Sequence, residues 1–204
     1  MIDPYLSDSV GRTDQNKKRS FPVDTRFFAV KPDVLIITHD HLDHYDPETV
    51  ERYVTADSQV TVLSPFSVWQ KIRAIGGKNN YVLFDAGTVW SEHELTFSAV
   101  PAVHSDPHAI GVVIDNGRQK YYVTGDTLYN RHIFEQVPPD IYALFLPVNG
   151  AGNNMNKQDA ARFAAQIHAH IVVPMHFGLL DRLDVEDFSC DNKRILNVYE
   201  EVEL

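Results

Sequence analysis

In Val34-Leu35-Ile36-Ile37-Thr38-His39-Asp40-His41-Leu42-Asp43-His44-Tyr45, a short apolar run stops abruptly at three histidines and two aspartates. Residues 34–38 read as a buried strand, being apolar, largely β-branched and few. Residues 39–44 cannot be ordinary core, because so many ionisable groups sheltered from water need partners or a cation. Histidines at i and i+2 project two imidazoles from the turn at a strand end. Asp43 and His44 then point toward a second position nearby. Neutral imidazole and carboxylate suit Zn²⁺, Mn²⁺ or Fe²⁺. A solvated, histidine-rich loop is the plainer reading, and dense spacing directly after a strand argues against it.

Working outward, ligand-type residues recur wherever a strand stops. An alternating run over 95–100 ends at Pro101-Ala-Val-His104. The strand expected over 120–124 ends in Gly125-Asp126, and that over 171–173 ends in Pro174-Met175-His176. In a layered α/β protein, strand ends at one edge converge on a cleft. His39, His41 and His104 then form one three-imidazole site. Asp43, His44 and His176 form another, and Asp126, with two carboxylate oxygens, can bridge both. His108, just beyond His104, is a candidate to reach the substrate or protonate a leaving alkoxide; an ordinary surface histidine is the alternative. Asn149 and Asn153, in the Gly/Asn-rich loop 147–154, can orient a polar ligand or simply serve turn geometry.

The other elements are expected as helices over 47–54, opening at Asp46-Pro47, and from Ser64-Pro65 to Gly76-Gly77. Trp69 of the second is expected in the core. Short strands are expected over 60–63, 81–84 and 141–146, a helix from Asn156 to about His168, and a last strand over 195–202. Residues 88–125 are all-β in pattern, with a two-residue hairpin turn at Asn116-Gly117. Residues 7–26 are polar and include Arg12, Lys17, Lys18, Arg19 and Arg26. They read as a long surface loop, either merely solvated or a lip that meets an anionic substrate group.

The 204 residues fit a single domain, 1–204, and 44% hydrophobic with 23% charged residues argues against disorder. A net charge of −10 argues against a general nucleic-acid binder. The one cysteine, Cys190, excludes an internal disulfide and a thiolate-rich zinc site. Without a signal-peptide pattern or an apolar run long enough to span a bilayer, a cytoplasmic protein with no membrane partner is expected.

The segments Thr38-His-Asp-His-Leu-Asp-His44, Thr124-Gly-Asp-Thr127, Leu146-Pro-Val-Asn-Gly150 and Val172-Val-Pro-Met-His176 resemble the metallo-β-lactamase superfamily. Within it they are similar to the branch containing L-ascorbate-6-phosphate lactonase. The resemblance implies an α/β fold, an αββα sandwich of two mixed β-sheets with helices outside and metals at one edge. It places metal ligands at His39, His41, Asp43, His44, His104, Asp126 and His176, and a supporting carboxylate at Asp3. It also implies strands ahead of Asp3. Their absence leads to the expectation of a shortened first sheet and of a homo-oligomer that covers its edge. The implied activity is that of a hydrolase with two divalent metal ions, zinc or manganese, with iron also accepted. A metal-bound hydroxide would attack a lactone or other ester of a small, anionic, phosphorylated metabolite, with Asp43, Asp126 and His108 in catalytic roles. The alternatives are a phosphodiesterase and a truncated, non-catalytic metal-binding or assembly protein.

Overall fold

Successive residues of a strand point to opposite faces, and β1 (Val34–Ile36) uses both. Leu35, with Ile37 just past the strand, packs among Val50, Tyr53, Val68 and Ile72. Ile36 packs the other way, among Phe97, Ile110 and Val112. Both faces are covered, which is why the run is apolar throughout.

The structure, a computed structural model, describes residues 1–203. One sheet contains β1, β2 (Thr61–Ser64) and β3 (Asn80–Leu83), in that order and all parallel. The other runs β4 (Val89–Glu92), β5 (Leu95–Pro101), β6 (Ile110–Asp115), β7 (Lys120–Val123), β8 (Ile141–Pro147) and β9 (Ile171–Met175). Its pairs are antiparallel from β4 to β7 and parallel from β7 to β9. Leu63 and Phe84 from the first sheet join Ile36 against Phe97, Ala99 and Ile110 of the second, so the sheets face each other. Helices α2 (Pro47–Tyr53) and α3 (Phe66–Ile72) cover the outside of the first sheet. Helix α4 (Lys157–Ile167) covers the second, with Ala160, Phe163 and Ala164 against Tyr122, Leu144 and Val172. The result is the expected αββα sandwich. No helix among the described residues is long and apolar enough to cross a membrane.

Several details depart from the sequence reading. Only the second sheet is mixed. The first is parallel because α2 and α3 are crossover connections, which return the chain in the same direction. It is also the smaller sheet, to which Ile2 adds a single parallel bridge at Ile36. Residues 7–26 are not all loop: α1 (Ser9–Thr13) buries Ser9, Val10 and Gly11. The turn after β6 is longer than a two-residue hairpin, since Asp115 pairs with Lys120. There Gly117 takes a positive φ of 80°, while the Asn116 side chain accepts from the N–H groups of Arg118 and Gln119. Trp69 sits at the rim of α3 and not in the core. Its Nε1 donates to the Tyr81 carbonyl and Arg73 lies 4.1 Å over its ring. No strand forms over 195–202. A turn closed by Asn197 and Glu200 interrupts it and leaves Ile195 and Val198 exposed.

Candidate metal centre

The ends of β1, β5, β7 and β9 deliver their polar residues to one place. One ligand-type atom from each of His39, His41, His104 and Asp126 lies within 4.8 Å of every other, and so do those of Asp43, His44 and His176. In the first group His104 Nε2 is 3.1 Å from His41 Nδ1 and 3.9 Å from Asp126 Oδ2. His39 Nε2 is 4.0 Å from the same carboxylate oxygen. In the second group His176 Nε2 is 3.3 Å from both Asp43 Oδ2 and Asp126 Oδ2, and His44 Nε2 is 3.4 Å from Asp126 Oδ1. Asp126 therefore stands between the groups, with both oxygens engaged. Gly125 makes this placement possible. Its φ is +60°, and a Cβ there would sit 2.8 Å from the Ile110 carbonyl oxygen and 3.0 Å from Thr38.

Outer contacts orient each imidazole, leaving one nitrogen facing the centre. Asp3, itself at a φ of +42°, accepts from the Thr38 N–H at 2.7 Å and the Thr38 hydroxyl at 2.6 Å. Its Oδ2 also accepts from His44 Nδ1 at 2.8 Å. That hydroxyl in turn faces His39 Nδ1 at 3.0 Å. His104 Nδ1 donates to the Asn153 carbonyl oxygen, and His41 Nε2 meets the Ser105 hydroxyl. The Asn149 amide lies 3.0 Å from His176 Nδ1 with its own oxygen buried and unpartnered. Turning that amide over would set the oxygen against Nδ1–H and free Nε2 to bind a cation. The Asn149 side chain and the Asn153 backbone carbonyl thus orient histidines, and Asn153, at a positive φ of 63°, also serves the turn of its loop.

The charges fit a cation. Burial presses the His39 pKa down to about 3, so this ring is neutral, and burial likewise lowers that of His104. His39 Nε2 is buried without any hydrogen-bond partner, aimed at three other ligand-type atoms. An orphaned buried nitrogen is costly unless something occupies that space. In the second group burial opposes charge on His44 and His176, but the neighbouring carboxylates outweigh it. Asp3 and Asp126 raise the pKa of His44 well above its usual value. Asp126 and Asp43 bring that of His176 up to about 9. Burial also works against ionised Asp43 and Asp126, yet the histidines hold both below the usual carboxylate range. Protons on His44 and His176 do the electrostatic work that a bound cation would do.

His108 is not brought into either group. Its Nδ1 lies 3.9 Å from Asp85 and its ring packs on Phe66, beside a hollow of about 350 Å³ that it shares with His41 and Ser105. Two positioning residues escaped the sequence reading. Buried Asp106 accepts from the Asp40 and His108 N–H groups and the Ser67 hydroxyl, tying the two histidine loops together. Asp106-Pro107 is a turn signal, and a turn signal alone does not foretell this reach. Buried Asn154 donates to Asp126 Oδ2 at 2.8 Å; nothing local separates it from the other asparagines of its loop. A cavity of about 470 Å³ opens beside the second group and is lined in part by Asp43, His44, Asp126 and His176.

Two facing sheets with helices outside and a His/Asp cluster at the strand ends define a metallo-β-lactamase fold with a centre able to bind metal. Residues 1–177 match the β-lactamase superfamily domain family. The chain is 31% identical over 196 residues to a UPF0173 metal-dependent hydrolase of Caldivirga maquilingensis, covering 92% of this chain and 79% of that relative. It belongs to the UPF0173 family of the β-lactamase superfamily. Its fold is similar to that of an isothiocyanate hydrolase from Delia radicum gut bacteria, at a TM-score of 0.74 and 21% identity, over 100% of this chain and 91% of that one. It is similar too to Igni18, a metallo hydrolase from Ignicoccus hospitalis, at a TM-score of 0.73 and 19% identity, over 96% and 85%.

Proposed function

We propose that this chain is a metal-dependent hydrolase that cleaves a lactone or other ester of a small metabolite. The observation that carries the reading is the partnerless, buried His39 Nε2 inside a convergent set of imidazoles and carboxylates beside a cavity. The name of the Caldivirga relative agrees with it. His39, His41 and His104 would hold one divalent ion, Asp43, His44 and His176 a second, with Asp126 between them. Zinc and manganese suit these atoms, and iron is accepted. Bound there, such ions supply acidity to water near neutral pH and positive charge to the oxygen that becomes negative during attack.

The chain's own groups do the rest. Asp126 fixes the separation of the two positions, held by Asn154. Asp43, partly open to the cavity, accepts the proton that the attacking water gives up. In ester cleavage, hydroxide joins the acyl carbon, the acyl C–O bond breaks and the proton held by Asp43 goes to the leaving alkoxide. The choice of lactones follows the similarity of Leu146-Pro-Val-Asn-Gly150 and Val172-Val-Pro-Met-His176 to the ascorbate-phosphate lactonase branch. The test is metal analysis of purified protein, with turnover measured on matched panels of lactones, esters and phosphodiesters. Metal-dependent turnover confined to the first two panels is expected. Turnover confined to phosphodiesters, or none with both positions filled, would overturn the reading.

A further inference from the structure

Of the basic residues in the 7–26 segment, Arg12 is paired with Glu48 and Arg26 with Asp24. Lys17 and Lys18 are exposed. Arg19 alone of this group lines the 470 Å³ cavity. Its guanidinium donates to the carbonyl oxygens of Tyr5 and Phe21 and, at 2.7 Å, to the Tyr199 hydroxyl. All three acceptors are neutral, and among the described residues Arg19 has no carboxylate partner. A half-buried guanidinium whose charge is unmatched on the wall of a cavity is a ready site for an anion.

Its position is fixed. The Ser20 N–H donates to the Leu179 carbonyl oxygen at 2.8 Å, strapping this segment to the loop after His176. The Tyr5 ring packs 4.9 Å from the guanidinium carbon. Much of the remaining wall is apolar, including Val123, Met175, Phe177 and Leu180. The nearby Asp181 carboxylate is committed to the N–H groups of Gly178 and Leu183. Leu179, Leu180 and Tyr199 lie beyond residues 1–177, the part matched to the superfamily domain.

We propose that Arg19 is an anion subsite and that the substrate is an amphipathic ester or lactone carrying a carboxylate on an apolar body, a refinement that rests on the hydrolase reading above. One guanidinium with one phenol matches the planar, singly charged carboxylate; a phosphate would ask for more N–H and O–H groups than this wall presents.

The test has two arms. In the first, metal-loaded wild type, Arg19→Gln and Arg19→Lys are assayed on the mono-4-nitrophenyl ester of suberate and on 4-nitrophenyl octanoate, its neutral counterpart. Wild type should prefer the carboxylated ester by about 10-fold or more in kcat/KM, mainly through KM. Arg19→Gln should lose that preference and Arg19→Lys should keep part of it, with normal metal content and thermal midpoint as checks on folding. An equal preference in wild type and Arg19→Gln would overturn the subsite. The second arm needs no turnover: calorimetry of metal-free protein with octanoate and with octyl phosphate. Octanoate should bind wild type about 10-fold more tightly than Arg19→Gln. Unchanged binding, or none to wild type, overturns the subsite; tighter Arg19-dependent binding of octyl phosphate overturns the carboxylate assignment. Arg19-dependent binding without turnover of any ester would leave the subsite standing and remove the hydrolase reading.

Discussion

Removing divalent cations should make the stability of this protein fall as pH rises through a window where most proteins change little. The group responsible is His176. Its pKa in the folded chain is about 9 against an ordinary value of 6.5. A group that binds its proton more tightly when folded stabilises the fold below its unfolded pKa, and that contribution is lost as pH climbs through the folded pKa. The difference, 9 − 6.5 = 2.5 units, corresponds to about 3–4 kcal/mol at roughly 1.4 kcal/mol per unit. For a chain of this size that is a drop of roughly 6–16 °C in thermal midpoint. Nothing else at the centre cancels it. His39 and His104 are already neutral above 6.5, Asp43 and Asp126 stay ionised, and His44, also raised, adds a loss in the same direction. Metal-loaded protein should show no such drop, because a cation takes the place of the proton. The assay is scanning calorimetry of chelator-treated and reloaded protein across this window. Loading experiments in buffers of different ionisation enthalpy would count the protons released. A flat midpoint in the metal-free protein, or parallel slopes with and without metal, would refute the reasoning.

Asp126→Asn should lose one of two bound metals and at least about 100-fold in turnover, because an amide keeps the volume but not the charge between the positions; metal analysis beside kinetics checks it, and full occupancy with wild-type rate would show that Asp126 does not bridge. Asp3→Asn isolates the charge of the outer carboxylate, since Asn tolerates the positive φ found there. It should weaken metal binding about 10- to 100-fold, measured by competition with a chelating dye, while leaving the two Thr38 contacts partly made. Unchanged affinity would mean that Asp3 serves the fold and not the centre.

The sequence carried the layers and the centre because both depend on short-range signals. A strand buried on both faces is apolar at every position, as residues 34–37 are, and a strand end rich in histidine has few roles in a folded protein. Asn156 capping α4, with its side chain accepting from the Asp159 N–H, was equally legible. What was not legible depends on distant partners. Ser9, Val10 and Gly11 are buried within a segment that is polar on average, and no pattern around Tyr5 foretells its contact with Arg19. The side-chain reach of Asp106 to Asp40 spans two loops. The left-handed backbone at Asp3 and His176 leaves no local mark, because aspartate and histidine carry no glycine-like signature. His108 shows the reverse failure: a spacing of four from a ligand-type residue means little in a loop, where no helix brings the two onto one face.

The two groups of the centre differ in what an arriving cation must displace. His39 and His104 are held neutral by burial, so their inward nitrogens offer free lone pairs at neutral pH. His44 and His176 hold protons against three carboxylates, and those protons have to leave first. A cation in the first group would lie beside Asp126, drawing its negative charge away from His176. That weakens the proton's hold on the second group just where a second cation needs it weakened. With both positions filled, Asp126 would be the point at which they communicate, and Asn154, which donates to one of its oxygens, would limit how far that carboxylate turns from one group to the other.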